Sequence, residues 1–208
     1  KKNTINIGAV YTLGRTLHGD AYKYHQTGAE SNGSIYVQSQ TGDTIPNPFK
    51  MPHTFGIGLT YVYDNRLTIG VDYTLQKWNT ADLAWSKFNK ESVEMNSRTK
   101  IAFGAEFVPS YISHNYLKRI RYRMGAYYSS PYNKVSYTSP DTGTTSFQDG
   151  AREYGVSIGF GLPMFQSKSM LNISGQYIKV SPKFKGLMEE NYLRINIGLT
   201  FNERWFMK

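Results

Sequence analysis

NYLRINIGLTFNERWFMK, Asn191 to Lys208, is the stretch whose reading decides the fold. Leu193, Ile195, Ile197, Leu199 and Phe201 fall on one face of an extended chain, and Tyr192, Arg194, Asn196, Gly198 and Thr200 fall on the other. Strict period-two alternation places every apolar side chain on one side of a sheet. A strand that is apolar on one side and wet on the other suits two settings. One is a soluble antiparallel sheet over a core. The other is a membrane barrel with lipid outside and water inside.

The same pattern recurs upstream. Ile5, Ile7, Ala9, Tyr11 and Leu13 alternate within 4–13. Phe55, Ile57, Leu59, Tyr61 and Tyr63 alternate with glycines and threonine, Asp64-Asn65 signals a tight turn, and Leu67, Ile69, Val71, Tyr73 and Leu75 answer on the return strand. Further strands are expected over 101–107, 120–128, 154–162 and 171–177, so the chain reads as eight strands with no helical segment. The connections alternate in length. Residues 14–53, 79–98 and 130–150 are long loops and 181–190 is a medium one, whereas 64–65 and 163–169 are short turns and 109–118 is a shorter link. Pro46, Pro48 and Pro52 speak against an uninterrupted central strand in the first of these loops. Long loops at one end and short turns at the other are the habit of bacterial outer-membrane barrels, and strands of about ten residues suit a tilted crossing of the bilayer. The expected fold class is therefore all-β, an antiparallel transmembrane β-barrel, with residues 1–208 as a single barrel domain or a C-terminal fragment of one.

Composition sharpens that choice. Among the 208 residues are 17 Tyr, 11 Phe and 19 Gly, and Tyr suits a membrane–water interface. Tyr61, Tyr63, Tyr73, Tyr122, Tyr128, Tyr154, Tyr177 and Tyr192 sit near strand ends, where an aromatic girdle belongs. Mean hydropathy is −0.49, and no apolar run is long enough for a transmembrane helix, but alternation halves the hydrophobicity of a barrel strand. The net charge of +9 is scattered rather than clustered, which argues against nucleic acid as a partner. The absence of cysteine removes disulfides and thiolate metal sites. No secretory leader is visible, so the sequence is expected to begin after processing or within a longer protein.

The polar face yields the candidate site residues. Asp72, Glu106, Arg121, Arg123, Glu153 and Arg194 all fall on it, opposite in charge and suited to pairing across a confined lumen. Trp85, Phe88, Phe147 and Phe184 lie in the loops as candidate contacts for a ligand or a partner protein. His18, His25, His53 and His114 show no metal-ligand spacing, no nucleophile elbow or phosphate loop occurs, and adjacent Glu189 and Glu190 point to opposite faces of an extended chain. The chain is accordingly not expected to be an enzyme, and no cofactor is expected.

The run NPFKMPHTFGIGLTYVYDNRLTIGVDYTLQKW, Asn47 to Trp78, resembles the late hairpin of the FadL-type outer-membrane transporters. IRYRMGAYYSSPY, EYGVSIGFGLPM and the terminal strand resemble that family's C-terminal strands. The resemblance implies that the eight strands are the last of a 14-stranded barrel. It further implies passive uptake of long-chain fatty acids or other hydrophobic small molecules. A second reading is a non-transporting structural subunit of an outer-membrane assembly or secretion complex. A soluble β-sandwich is the third. The expected setting is the outer membrane of a Gram-negative bacterium with a periplasmic C-terminus. Membrane lipid and lipopolysaccharide are the expected neighbours, with a hydrophobic small molecule or partner proteins as further candidates.

Overall fold

A computed structural model describes residues 2–31, 34–80, 94–138, 144–164, 169–182 and 188–201. Its centre is one eight-stranded antiparallel sheet built from β1 (Asn3–Thr12), β6 (Thr54–Tyr63), β7 (Leu67–Gln76), β8 (Arg98–Phe107), β9 (Arg121–Ser129), β12 (Ala151–Pro163), β13 (Met170–Pro182) and β14 (Glu190–Thr200), in that spatial order. Every strand of this sheet was anticipated by the alternation of the sequence. Among the described residues β1 pairs only with β6 and β14 only with β13, so the sheet has two edges.

The register lines up the apolar residues into rows that cross all eight strands. One row runs Ile7, Leu59, Val71, Phe103, Ala126, Val156, Tyr177 and Leu193, each paired with the next. Aromatic residues cluster in rows on either side of this aliphatic centre. Tyr73, Tyr128 and Tyr154 occupy the row on one side. Tyr63, Phe107, Tyr122 and Phe160 occupy a row toward the other end of the strands. Tyr177 and Tyr192 depart from the expected girdle: Tyr177 stands in the central row, and Tyr192 pairs with the buried Ile178 and stands on the polar face.

The burial is inverted relative to a soluble domain. Along β12 the large apolar side chains are the open ones, with Val156 56% and Ile158 58% exposed, while Gly155, Gly159 and Gly161 between them are buried. Ile197 of β14 is 73% exposed. The buried apolar side chains among the described residues are Ile45, Val108, Ile120 and Ile178, too few and too dispersed to form a core. Along the middle strands the apolar face is therefore the more exposed one, and the face of small and charged residues the more covered one.

Short turns gather at one end. Asp64 and Asn65 both take left-handed backbone angles (φ 51° and 52°), which their short polar side chains tolerate, and they close the β6–β7 hairpin. Residues 108–120 fold onto this turn, with Val108 N–H donating to Arg66 O at 2.8 Å and the Tyr111 hydroxyl to Asn65 O at 2.6 Å.

The opposite end holds structure where loops were expected. Residues 14–53 contain β2 (Thr16–Leu17), β3 (Asp20–Ser31), β4 (Ser34–Pro46) and β5 (Phe49–Lys50). β2 pairs with β5 and β3 with β4, each apart from the main sheet. The three ladders share one register: Thr12 faces Thr54, Thr16 faces Lys50, Leu17 faces Phe49 and Asp20 faces Pro46. Stepping forward on one strand matches stepping back on the other across both interruptions. Backbone bonds bridge those interruptions, from Met51 N to Arg15 O (2.7 Å) and from Asn47 N to Gly19 O (2.8 Å). Asn3 to Tyr63 is thus one long hairpin whose outer half rises beyond the sheet as an arm. The ladder shifts only at Thr27/Gly28. The three prolines sit at or beside the two interruptions, where no regular ladder bond is required of them. Likewise 130–150 holds a short hairpin of β10 (Lys134–Thr138) and β11 (Thr145–Asp149), offset by one residue from the β9–β12 ladder.

Candidate functional site: the charged polar face

The enclosed face is organised by charge. Glu106 on β8 lies opposite Arg123 on β9 in the register, and its two oxygens take separate arginines. Arg123 Nε donates to Oε2 at 2.7 Å and Arg121 Nη1 to Oε1 at 3.1 Å. Arg123 Nη1 donates onward to Asn172 Oδ1 on β13 at 2.8 Å, so one carboxylate and one arginine tie β8 to β9 and, across β12, to β13. Arg121 and Arg123 reach the same carboxylate because alternate residues of a strand share a face.

A second cluster sits toward the arm end. Glu153 on β12 accepts from the Tyr127 hydroxyl and pairs with Arg98 Nη2 at 3.5 Å. Arg98 Nε also donates to Ser129 Oγ at 2.7 Å, and Lys100 Nζ stands 4.6 Å from the Tyr127 ring centroid. Arg194 on β14 pairs across the ladder with Gln176 and lies within electrostatic range of Tyr127. The ring of Tyr127 reaches Glu153 by crossing Gly155, its register partner; a Cβ there would run into the ring.

The six polar residues chosen from the sequence all occupy this face, but they form two clusters and an outlier. Glu106, Arg121 and Arg123 are joined directly. Glu153 and Arg194 belong to the Tyr127 cluster. Asp72 stands apart on β7, its carboxylate over the bare Gly58 near Asn6 and Thr60. The sequence reading missed Arg98, Lys100, Tyr127, Ser129 and Asn172. Arg98 was missed because residues 79–98 read as loop, whereas β8 begins at Arg98. The signal for Lys100 and Tyr127 was available in their strand parity.

Of the loop aromatics, Trp85, Phe88 and Phe184 lie outside the described residues, as do Trp205 and Phe206 of the terminus. Phe147 lies in β11 opposite Ser136, half-buried in a hairpin rather than free in a loop. The extended end is laced by other contacts: Trp78 packs on Tyr132 at 5.6 Å, Lys134 pairs with Glu94 at 2.6 Å, and Asn96 donates to Asp149 at 2.7 Å. Among the described residues no group of three or more His, Cys, Asp or Glu converges in a way that could hold a metal ion.

Fold and face together define a class: an all-β protein on one antiparallel sheet, apolar side outward, with a charge-paired inner side. The BamG family model matches residues 1–208, and the chain belongs to that family, whose name marks a Bam-complex-associated protein of the Gram-negative outer membrane. No curated protein and no solved structure matches the chain. The match corrects the resemblance to FadL-type transporters, which rested on framework strands alone. Alternating strands with aromatic ends are demanded of any such wall by its two solvents, so they do not separate one family from another.

Proposed function

We propose that the chain forms part of the wall of a transmembrane β-barrel and serves as a non-catalytic, non-transporting accessory subunit of the Bam assembly complex. The observation that carries this is the family match over the whole sequence, read together with the inverted burial of the sheet. Apolar rows flanked by aromatic rows suit a lipid-facing band and its two interfaces. The charge-paired inner face favours a rigid, water-side wall over a passage for greasy ligands, because its polar groups already satisfy one another. In this reading the outward band meets membrane lipid and lipopolysaccharide. The short turns and the end of β14 stand on the periplasmic side, and the arm stands outside. The edges of β1 and β14 are paired in the membrane by further strands, which makes the complete barrel larger than eight strands.

The test is purification of the tagged protein from detergent-solubilised outer membranes at native stoichiometry. Co-elution with other components of the assembly complex, at constant ratio through size exclusion, is expected. A lone barrel in every detergent that keeps the rest of the complex intact would overturn the reading.

A further inference from the structure

Among the described residues the arm, Asp20–Pro46, is paired only with itself, and this inference about it rests on the reading of the chain as a complex subunit. A two-stranded ribbon needs a third strand or a packed face for independent stability. Here β3 and β4 pair only with each other among the described residues. From Thr12 to Ser31 the strand reaches about 60 Å beyond the sheet at the usual rise. Its base is fixed: the Gly14 amide donates to His53 Nδ1 at 3.2 Å, and the Tyr11 hydroxyl meets the same nitrogen at 2.7 Å. A firmly rooted ribbon without a covered face is shaped to present a surface.

That surface has a definite chemistry. Tyr22 and Tyr24 share one side of β3, 64% and 63% exposed, opposite Thr44 and Gly42 on β4. The Tyr24 ring rests on the bare backbone of Gly42, and Gln26 donates to Gln40 at 3.1 Å on the same side. Tyrosine gives large, amphipathic contact area with little rotamer entropy to lose, and neighbouring amides and hydroxyls give adaptable hydrogen bonds. Charge points the same way. The chain carries +9, but residues 16–50 hold only Lys23 and Lys50, with no arginine, against Asp20, Glu30 and Asp43. Such an arm lacks the cation cluster that anionic sugar phosphates require.

We propose that the Tyr22–Tyr24 face of the arm docks another protein of the assembly complex through a neutral, hydrogen-bonding surface. Association at this face depends on aromatic burial and is therefore nearly insensitive to salt.

The test uses the tagged full-length protein in its own outer membrane, in three forms. One is unmodified. One has 20–46 replaced by an Asn-Gly turn joining Gly19 to Asn47, which already face each other across the ladder. One carries Tyr22→Ser with Tyr24→Ser and keeps the arm. Each is scored for outer-membrane abundance, for a detergent-resistant folded band, and for the amount of every complex component it retains. Both variants are expected to reach wild-type abundance and to lose about tenfold or more of one component, equally at low and high salt. Should the shortened form fail to insert, the double tyrosine variant decides alone. Unchanged retention overturns the proposal. So does a loss confined to high salt, or cross-linking at position 24 only to a second copy of this chain. If the unmodified protein retains no component at all, it is the subunit reading that fails.

Discussion

The ring of Tyr127 lies against the backbone of Gly155, its partner in the β9–β12 register, and its hydroxyl donates to Glu153 two residues along. The glycine makes this geometry available: any side chain at 155 would occupy the space of the ring. Gly155→Ala is therefore expected to destabilise the sheet by about 1–3 kcal/mol, the usual cost of forced overpacking. The cost should shrink when Tyr127→Ala is added, because the two residues contest one volume. Urea unfolding of the four proteins in lipid gives the coupling energy, and additive losses would contradict the contact.

Glu106 holds two arginines, so its loss and theirs are not equivalent. Glu106→Gln leaves Arg121 and Arg123 side by side without a counter-charge. Arg121→Gln leaves the shorter Arg123 pair in place. These side chains are 25–37% exposed, and solvent screening reduces the effect below that of a fully buried pair. Glu106→Gln is expected to cost about 1–2 kcal/mol and Arg121→Gln under about 1 kcal/mol. High salt should narrow the gap between them. Thermal unfolding of the detergent-solubilised variants at two ionic strengths measures both.

The strands were legible because a sheet with one apolar and one polar face imposes a two-residue period, and the terminal strand shows it without a break. The pairing of Glu106 with Arg123 was legible to the level of a shared face. The arm was not. Tyr22, Lys23, Tyr24, His25 and Gln26 are amphipathic or polar at every position, so no polarity difference marks the alternation, and Pro46, Pro48 and Pro52 obscured a ladder that steps over them. Arg98 was hidden for a related reason, since β8 keeps its hydrogen bonds past the last of its alternating apolar residues. Family membership was not carried by the strands at all.

Ile158 and Val156 stand in the central rows of the outward face, and their exposure discriminates lipid from water. If these rows meet the bilayer, Ile158→Arg should cost about 2–4 kcal/mol in folding into liposomes, whereas Tyr154→Arg, in the aromatic row, should cost about 1 kcal/mol or less. Thr60→Lys on the polar face serves as the control and should be tolerated. A soluble sheet would erase this difference, because an arginine on a wetted surface at position 158 would be harmless. Equal, small effects at 154 and 158 would remove the membrane reading.

The last prediction concerns the two edges. β14 hydrogen-bonds to β13 on one side, and every one of its residues is exposed; among the described residues β1 is bound only to β6 and nearly as open. Neither strand carries the proline or bulge that soluble proteins use to blunt an edge. An unpaired amide in hydrocarbon costs several kcal/mol, so a ten-residue edge left open in a bilayer would outweigh the stability of the whole sheet. Closing β1 onto β14 would give eight strands, an interior just wide enough for side chains to fill. The facing residues here include Gly8, Gly58, Gly70, Gly104, Gly125 and Gly198, which fill little of it. The proposed larger barrel therefore has both edges paired by additional strands. In the membrane-embedded protein, amides of 3–12 and 190–200 should exchange with deuterium as slowly as those of β7 at the middle of the sheet. Exchange at these edges on the timescale of the exposed connections would mean that the strands are open to water, and the sheet would not be a barrel wall.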